Sequence, residues 1–140
     1  MSGIERCHMT INTANVAGNS SLLPARDEPY LLREVYELLE DTCRTEVVLQ
    51  MEDSYLLVRV DEDTDALDYE FSSGEFFPGP NHQPASWKNQ LGSECDWTWT
   101  AVNQQGYMDS ILLSFDGVVP TVLLHGIATS IEVLSIVPIR

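Results

Sequence analysis

The sequence predicts a mainly β protein, built as a meander-based sandwich or a partly open barrel of about seven or eight strands. Short runs rich in β-branched and aromatic residues recur along the chain, and clusters of turn-forming residues separate them. The 140 residues suit one domain, and a hydrophobic fraction of 44% is enough for a packed core. At most one short helix is expected.

The chain is predicted to divide into a flexible N-terminal arm, residues 1–21, and a single β-rich domain, residues 22–140. The arm is rich in Asn, Thr, Ser and Gly and shows no hydrophobic period. Residues 29–41 leave two interpretations open. Their leucines and valine fall at helical spacing, but the same residues also fit a strand.

Clearer β signals follow. Residues 46–51 and 55–60 predict two strands joined by a tight hairpin. Residues 67–71 alternate apolar and polar side chains, which is typical of a third strand with one wet face. The acidic block 61–65 is therefore expected in the hairpin turn before that strand.

Residues 72–94 form a long connection that glycines and prolines interrupt. Long connections without secondary structure of their own are uncommon in compact domains. This one also carries Phe76, Phe77, His82 and Trp87, so we expect it to fold back onto the body of the protein.

The second half again predicts strands, at residues 96–102, 108–115, 121–125 and 131–137. In the first of them Trp97 and Trp99 share one face, which we interpret as the core face. The two halves, residues 31–71 and 95–137, also match in pattern at an offset of 64 residues. They are either pseudo-repeats or two strand clusters of similar pattern.

Charge is the strongest functional signal. Residues 27–75 hold 16 of the 22 Asp and Glu residues but only three arginines, in a chain of net charge −15. A field of this sign repels nucleic acid and anionic membranes, and it attracts basic proteins or cations. The sequence therefore predicts a basic protein partner and neither nucleic-acid nor membrane binding.

The Asp61-x-Asp63-x-Asp65 pattern invites a calcium interpretation. An EF-hand loop needs glycine at its sixth position and a bidentate acid at its twelfth, where this chain has Ala66 and Ser72. A looser cation site that includes Asp68 is the alternative to a solvated acidic turn, which we favour. We predict no metal site and no cofactor.

Signatures of catalysis are not found in the sequence. The chain has no GxSxG motif and no glycine-rich phosphate loop, and its three histidines and three cysteines lack metal-ligand spacing. Cys95 lies between two carboxylates, which disfavour a reactive thiolate. We therefore predict a protein that is not an enzyme. The odd number of widely spaced cysteines and the lack of a signal-like or membrane-spanning segment predict a cytoplasmic location.

Residues 97–115 combine an aromatic strand, an Asn-Gln-x-Gly-Tyr-x-Asp turn and an apolar strand. In this combination the chain resembles small uncharacterised bacterial proteins, a domain family without an established activity. In size and acidity it is also similar to the immunity proteins that bacteria make against basic nuclease or pore-forming toxins.

Together these observations predict an acidic, non-enzymatic binding protein for a basic partner, such as an immunity or inhibitor factor. The alternatives are a small-molecule or cation-binding domain, or a structural homodimer that pairs an edge strand such as residues 131–137. The expected partner-binding residues combine the acidic block with the amide turn and one loop tryptophan: Asp61, Glu62, Asp63, Asp65, Asp68, Trp87, Asn103, Gln104, Gln105, Tyr107 and Asp109.

Overall fold

The computed structural model describes residues 10–11, 22–137 and 139, and it confirms a β sandwich that does not close into a barrel. The predicted flexible arm lies outside the described residues, apart from one two-residue strand. The strands are β1 (Thr10–Ile11), β2 (Leu32–Glu40), β3 (Cys43–Met51), β4 (Ser54–Val60), β5 (Leu67–Ser73), β6 (His82–Pro84), β7 (Cys95–Val102), β8 (Met108–Phe115), β9 (Val122–Ile127) and β10 (Ser130–Ser135).

Residues 22–137 contain no helix, so the open question about residues 29–41 is resolved in favour of strand β2. The expectation of seven or eight strands matches the eight longer ones; β1 and β6 are additions of two and three residues. No helix among the described residues is long and apolar enough to cross a membrane.

Each half of the chain supplies the main part of one antiparallel sheet. We call the sheet β5-β4-β3-β2-β6 the acidic sheet, and the sheet β1-β7-β8-β9-β10 the tryptophan sheet. Strands β2 to β5 and strands β7 to β10 each form a four-stranded meander with neighbouring strands paired in sequence order. The predicted repeats therefore correspond to equivalent meanders that pack face to face.

The core lies between the two sheets. Leu49 and Leu56 of the acidic sheet and Ile111, Leu113 and Leu124 of the tryptophan sheet are at most 1% exposed. Burying such side chains stabilises the fold by about 1.5–3 kcal/mol each. The inner faces of both meanders thus form one continuous hydrophobic core.

The orientation predicted for β7 is wrong. Thr98 and Thr100 lie opposite the core residues Leu113 and Ile111, and both are buried. Trp97 and Trp99 alternate with them and are only half-buried on the outer face of the tryptophan sheet. Alternation shows that two residues share a face but not which face is inner. The large size of the tryptophans favoured the core face in the prediction. The pairing of β7 with β8 shows that the threonines face the core instead.

The long connection does fold back, as predicted. Phe76 lies on the outer face of the acidic sheet, with its ring 5.8 Å from that of Tyr36 and 5.4 Å from that of Tyr55. Trp87 enters the core and packs edge-on against Phe115 at 6.4 Å. Between these two contacts, β6 pairs with β2 and closes one edge of the acidic sheet.

Candidate partner-binding site

Four hairpin turns lie at one end of the sandwich, which we call the upper end. In the acidic sheet these are the turns at residues 41–42 and 61–66, and in the tryptophan sheet those at 103–107 and 128–129. Antiparallel order places alternate turns at the same edge of each sheet. The Asp65 carboxylate accepts a hydrogen bond from the Thr129 backbone N–H at 3.0 Å, which joins the two edges. The predicted acidic turn and amide turn therefore share one end.

The acidic turn uses some of its carboxylates to hold its own shape. Asp61 Oδ1 accepts a hydrogen bond from the Asp63 N–H at 2.8 Å, an Asx turn. Asp65 adopts a positive φ of 63°, a conformation that Asp tolerates better than most residues. The side chains of Glu62 and Asp63 are exposed. Asp61 and Asp65 thus shape the turn, and Glu62 and Asp63 offer their charge to solvent.

Acidic residues that the sequence reasoning did not single out lie beside this turn. Glu40 and Asp41, at the end of β2 and in the following turn, are exposed. They line a shallow cleft of about 430 Å³ together with Glu62 and Asp63. The uncertainty between helix and strand at residues 29–41 hid them, because only a strand would end in a hairpin at this position.

The arginines form their ion pairs with carboxylates outside the four turns, although Arg59 lines a small cleft together with Glu40 and Glu62. The pairs among residues 22–137 are Arg26 with Asp53, Arg33 with Glu75, Arg44 with Glu37 and Arg59 with Glu46. The described carboxylates of the upper end take part in none of these pairs. Their charges are therefore left available to an external partner.

The carboxylates do not converge on a metal-binding geometry. Among the described residues, no group of three or more His, Cys, Asp or Glu side chains is placed to hold a metal ion. The loose cation site considered for the Asp61 turn would need such convergence. The structure does not bring these side chains together in that way.

The amide turn is organised by Asn103, which is only 4% exposed. Its side-chain oxygen accepts hydrogen bonds from the N–H groups of Gln105 at 2.9 Å and Tyr107 at 3.2 Å. Gly106 takes a positive φ of 89°, which favours glycine at that position. Gln104, Gln105 and Tyr107 are exposed. Asn103 therefore builds the turn, and the other three present its surface.

A chain of polar contacts from β8, β9 and β10 supports this turn. Asp109 is fully buried, and its Oδ2 atom accepts a hydrogen bond from Asn103 Nδ2 at 3.3 Å. The same oxygen lies 3.6 Å from His125 Nε2, and His125 Nδ1 lies 3.2 Å from the carboxylate of Glu132. Asp109 is thus a structural residue beneath the turn, and sequence spacing alone did not show its link to His125.

Two other predicted residues lie away from the turns. Trp87 is buried at 7% exposure, so it contributes to the core and offers little surface to a partner. Asp68 is exposed on the edge strand β5, where it extends the acidic surface from the 61–66 turn. Of the predicted set, the exposed residues are therefore Glu62, Asp63, Asp68, Gln104, Gln105 and Tyr107.

The thiol of Cys95 lies in the core, and its pKa lies far above that of a reactive cysteine. Burial, with a smaller contribution from the neighbouring Asp96 carboxylate, raises its pKa to about 12. The sequence interpretation named only the flanking carboxylates, but the loss of solvent is the larger cause. A thiolate at this position is therefore strongly disfavoured at neutral pH.

The chain belongs to DUF6334, a family of unknown function whose model matches residues 30–140. This match confirms the resemblance to an uncharacterised domain family, and it covers all the strands from β2 to β10. Neither the curated proteins nor the solved structures contain a significant match to this chain.

Proposed function

We propose that this protein is a non-enzymatic binding protein that engages a basic protein partner through its acidic upper end. The observation that carries the proposal is the distribution of charge. Exposed carboxylates from two neighbouring turns lie together there, while the arginines of the described chain pair with carboxylates elsewhere. A free field of one sign accelerates association with a partner of opposite charge.

The amide turn gives this surface a means of short-range recognition. Tyr107 is 41% exposed, and Gln104 and Gln105 are exposed beside it. Tyrosine combines apolar contact area with a hydroxyl group and is enriched in protein interfaces. In this mechanism the carboxylates set the rate of encounter, and the amide turn adds short-range contacts after encounter.

The class of partner follows from the same charge argument. A compact basic protein, such as a nuclease toxin neutralised by an immunity factor, would fit an acidic end of this kind. The free thiols of Cys43 and Cys95 agree with a reducing compartment such as the cytoplasm.

The test is affinity capture from native cell lysate with three baits, each washed in parallel at low and high salt. The first bait is the wild-type protein, and the second carries Glu40→Lys, Glu62→Lys and Asp63→Lys. The third is a control with the same change in charge, made by Asp27→Lys, Glu28→Lys and Glu52→Lys. All six substituted side chains are exposed, so each variant is expected to fold.

We expect one basic protein, identified by mass spectrometry, on the wild-type and control baits at low salt. It should be lost from both at high salt and should be absent from the upper-end variant. Equal retention by all three baits, or no retained protein on any of them, would contradict the proposal.

A further inference from the structure

Strand β10 has one free edge. One edge of the strand pairs with β9 over all six residues, and no other strand of the described chain pairs with the opposite edge. Just after β10, the N–H of Ile136 donates to the carbonyl oxygen of Thr121. The carbonyl oxygen of Ile131, on the opposite edge, accepts a hydrogen bond from the Arg44 guanidinium at 2.7 Å. Alternation in an antiparallel ladder therefore turns the backbone groups of Ile131, Val133 and Ser135 outward.

The other sheet edges carry the features that prevent further pairing. The edge strands β1 and β6 have two and three residues, and β6 ends in Pro84. The edge strand β5 carries the exposed acids Asp68 and Glu70. Short length, proline and charge are the usual protections of an edge. In contrast, β10 has six residues, with Glu132 as its single charged side chain.

A groove runs beside this free edge. It has a volume of about 420 Å³, with Val133 and Ser135 on one side and the segment from Pro84 to Trp87 on the other. Val122 and Trp87 supply apolar surface, Gln90 adds a polar group, and the ion pair of Arg44 with Glu37 also lines the groove. The edge therefore faces a walled channel with an outward-facing backbone along one side.

We propose that this channel binds an extended, basic peptide segment of a protein partner, which adds to the tryptophan sheet as a strand beside β10. Arg44 already binds the outward Ile131 carbonyl, and the outward N–H and C=O groups of Val133 and Ser135 have the spacing that another extended backbone matches. The net charge of −15 favours a segment with positive charge, since the charged residues that line the groove, Glu37 and Arg44, are paired with each other. This inference does not depend on the acidic upper end, which lies on different residues.

The geometry favours a peptide over a second copy of the chain. Antiparallel pairing of two β10 strands about a two-fold axis keeps both acidic sheets on the same side of the joined sheet. The Pro84–Trp87 walls, which stand beside β10, would then meet each other. A single strand fills the channel without that collision.

The experiment uses a synthetic heptapeptide of alternating valine and lysine as the probe, titrated into the full-length protein by isothermal calorimetry. The control peptide has the same sequence with N-methyl groups on alternate backbone amides, so its charge is unchanged but one ladder edge is blocked. A protein variant, Val133→Pro, removes one outward N–H and leaves the pairing with β9 in place. Its fold is checked by thermal unfolding.

We expect saturable binding of the probe, weakened about tenfold or more by N-methylation and by Val133→Pro. Equal binding of both peptides to the wild-type protein would overturn the proposal, even if the proline variant failed to fold. No binding at millimolar peptide would also overturn it. A wild-type dimer that Val133→Pro converts to a monomer, seen by light scattering, would assign the edge to a second copy instead.

Discussion

The outer faces of the two sheets differ, although the two meanders are alike. On the acidic sheet the outward residues Val48, Gln50 and Leu57 are no more than 7% exposed, because Phe76 and its loop cover them. On the tryptophan sheet the large outward residues Trp99 and Leu112 lie opposite each other on β7 and β8 and are half-buried, whereas the small outward residues Ala101, Ser110 and Ser114 are buried. The acidic sheet thus buries large side chains on its outer face, and the tryptophan sheet leaves its large outward side chains half-exposed.

The connection after β5 accounts for the cover of the acidic sheet. Residues 74–94 return across that sheet, where Phe76 packs against Tyr36 and Tyr55. The covered sheet carries most of the charge at its turns and edge, and the other sheet carries apolar surface and the free β10 edge. Similar meanders can therefore present different surfaces, because a single loop changes what the acidic sheet exposes.

The largest expected effect comes from removing the hydrogen bonds that hold the loop over the acidic sheet. Gln50 is 1% exposed. Its side-chain oxygen accepts a hydrogen bond from the Phe76 N–H at 2.7 Å. Its amide nitrogen donates to the backbone carbonyls of Met51, Ser54 and Gly74. Gln50→Leu would leave these groups without their partner, at a cost of about 2–4 kcal/mol in the free energy of unfolding. Urea denaturation measures this change. A cost below about 0.5 kcal/mol would show that the amide does not hold the loop.

A smaller effect compares the two outer faces directly. Phe76→Ala should lower the free energy of unfolding by about 2 kcal/mol, since it removes a ring packed between Tyr36 and Tyr55. Leu123→Ala, on the half-buried outer face of β9, should lower it by about 1 kcal/mol or less. Chemical denaturation of both variants gives the comparison. Equal losses would mean that the two faces are equally covered.

The smallest expected effect concerns the inner face of β7. The Thr98 hydroxyl is fully buried, and it has no hydrogen-bond partner among the described residues. Thr98→Val replaces it with a methyl group of the same shape and should raise the free energy of unfolding by about 1 kcal/mol. Thr100→Val, at the next inward position of β7, is the matched control and should not show this gain, because Thr100 is not left without an interaction partner. Destabilisation by Thr98→Val would contradict an inward-facing Thr98.

The sequence predicted the strands well because alternation and turn residues act locally. The hairpin position of the acidic block and the similar pattern of the two meanders can both be read from residues that are close in sequence. The sequence failed where the answer depends on tertiary contacts. The burial of Thr98 in place of Trp99 follows from the register with β8, and the link from Asn103 through Asp109 to His125 joins residues on different strands. Neither leaves a pattern within one strand.

The most direct test of the charge account is the association rate of the captured basic partner, measured by stopped-flow fluorescence across a range of ionic strength. The account predicts that the upper-end variant with Glu40→Lys, Glu62→Lys and Asp63→Lys associates more slowly and with a weaker salt dependence than the wild type. The control with Asp27→Lys, Glu28→Lys and Glu52→Lys should stay close to the wild type. Equal rates and equal salt dependence for the two variants would contradict the account.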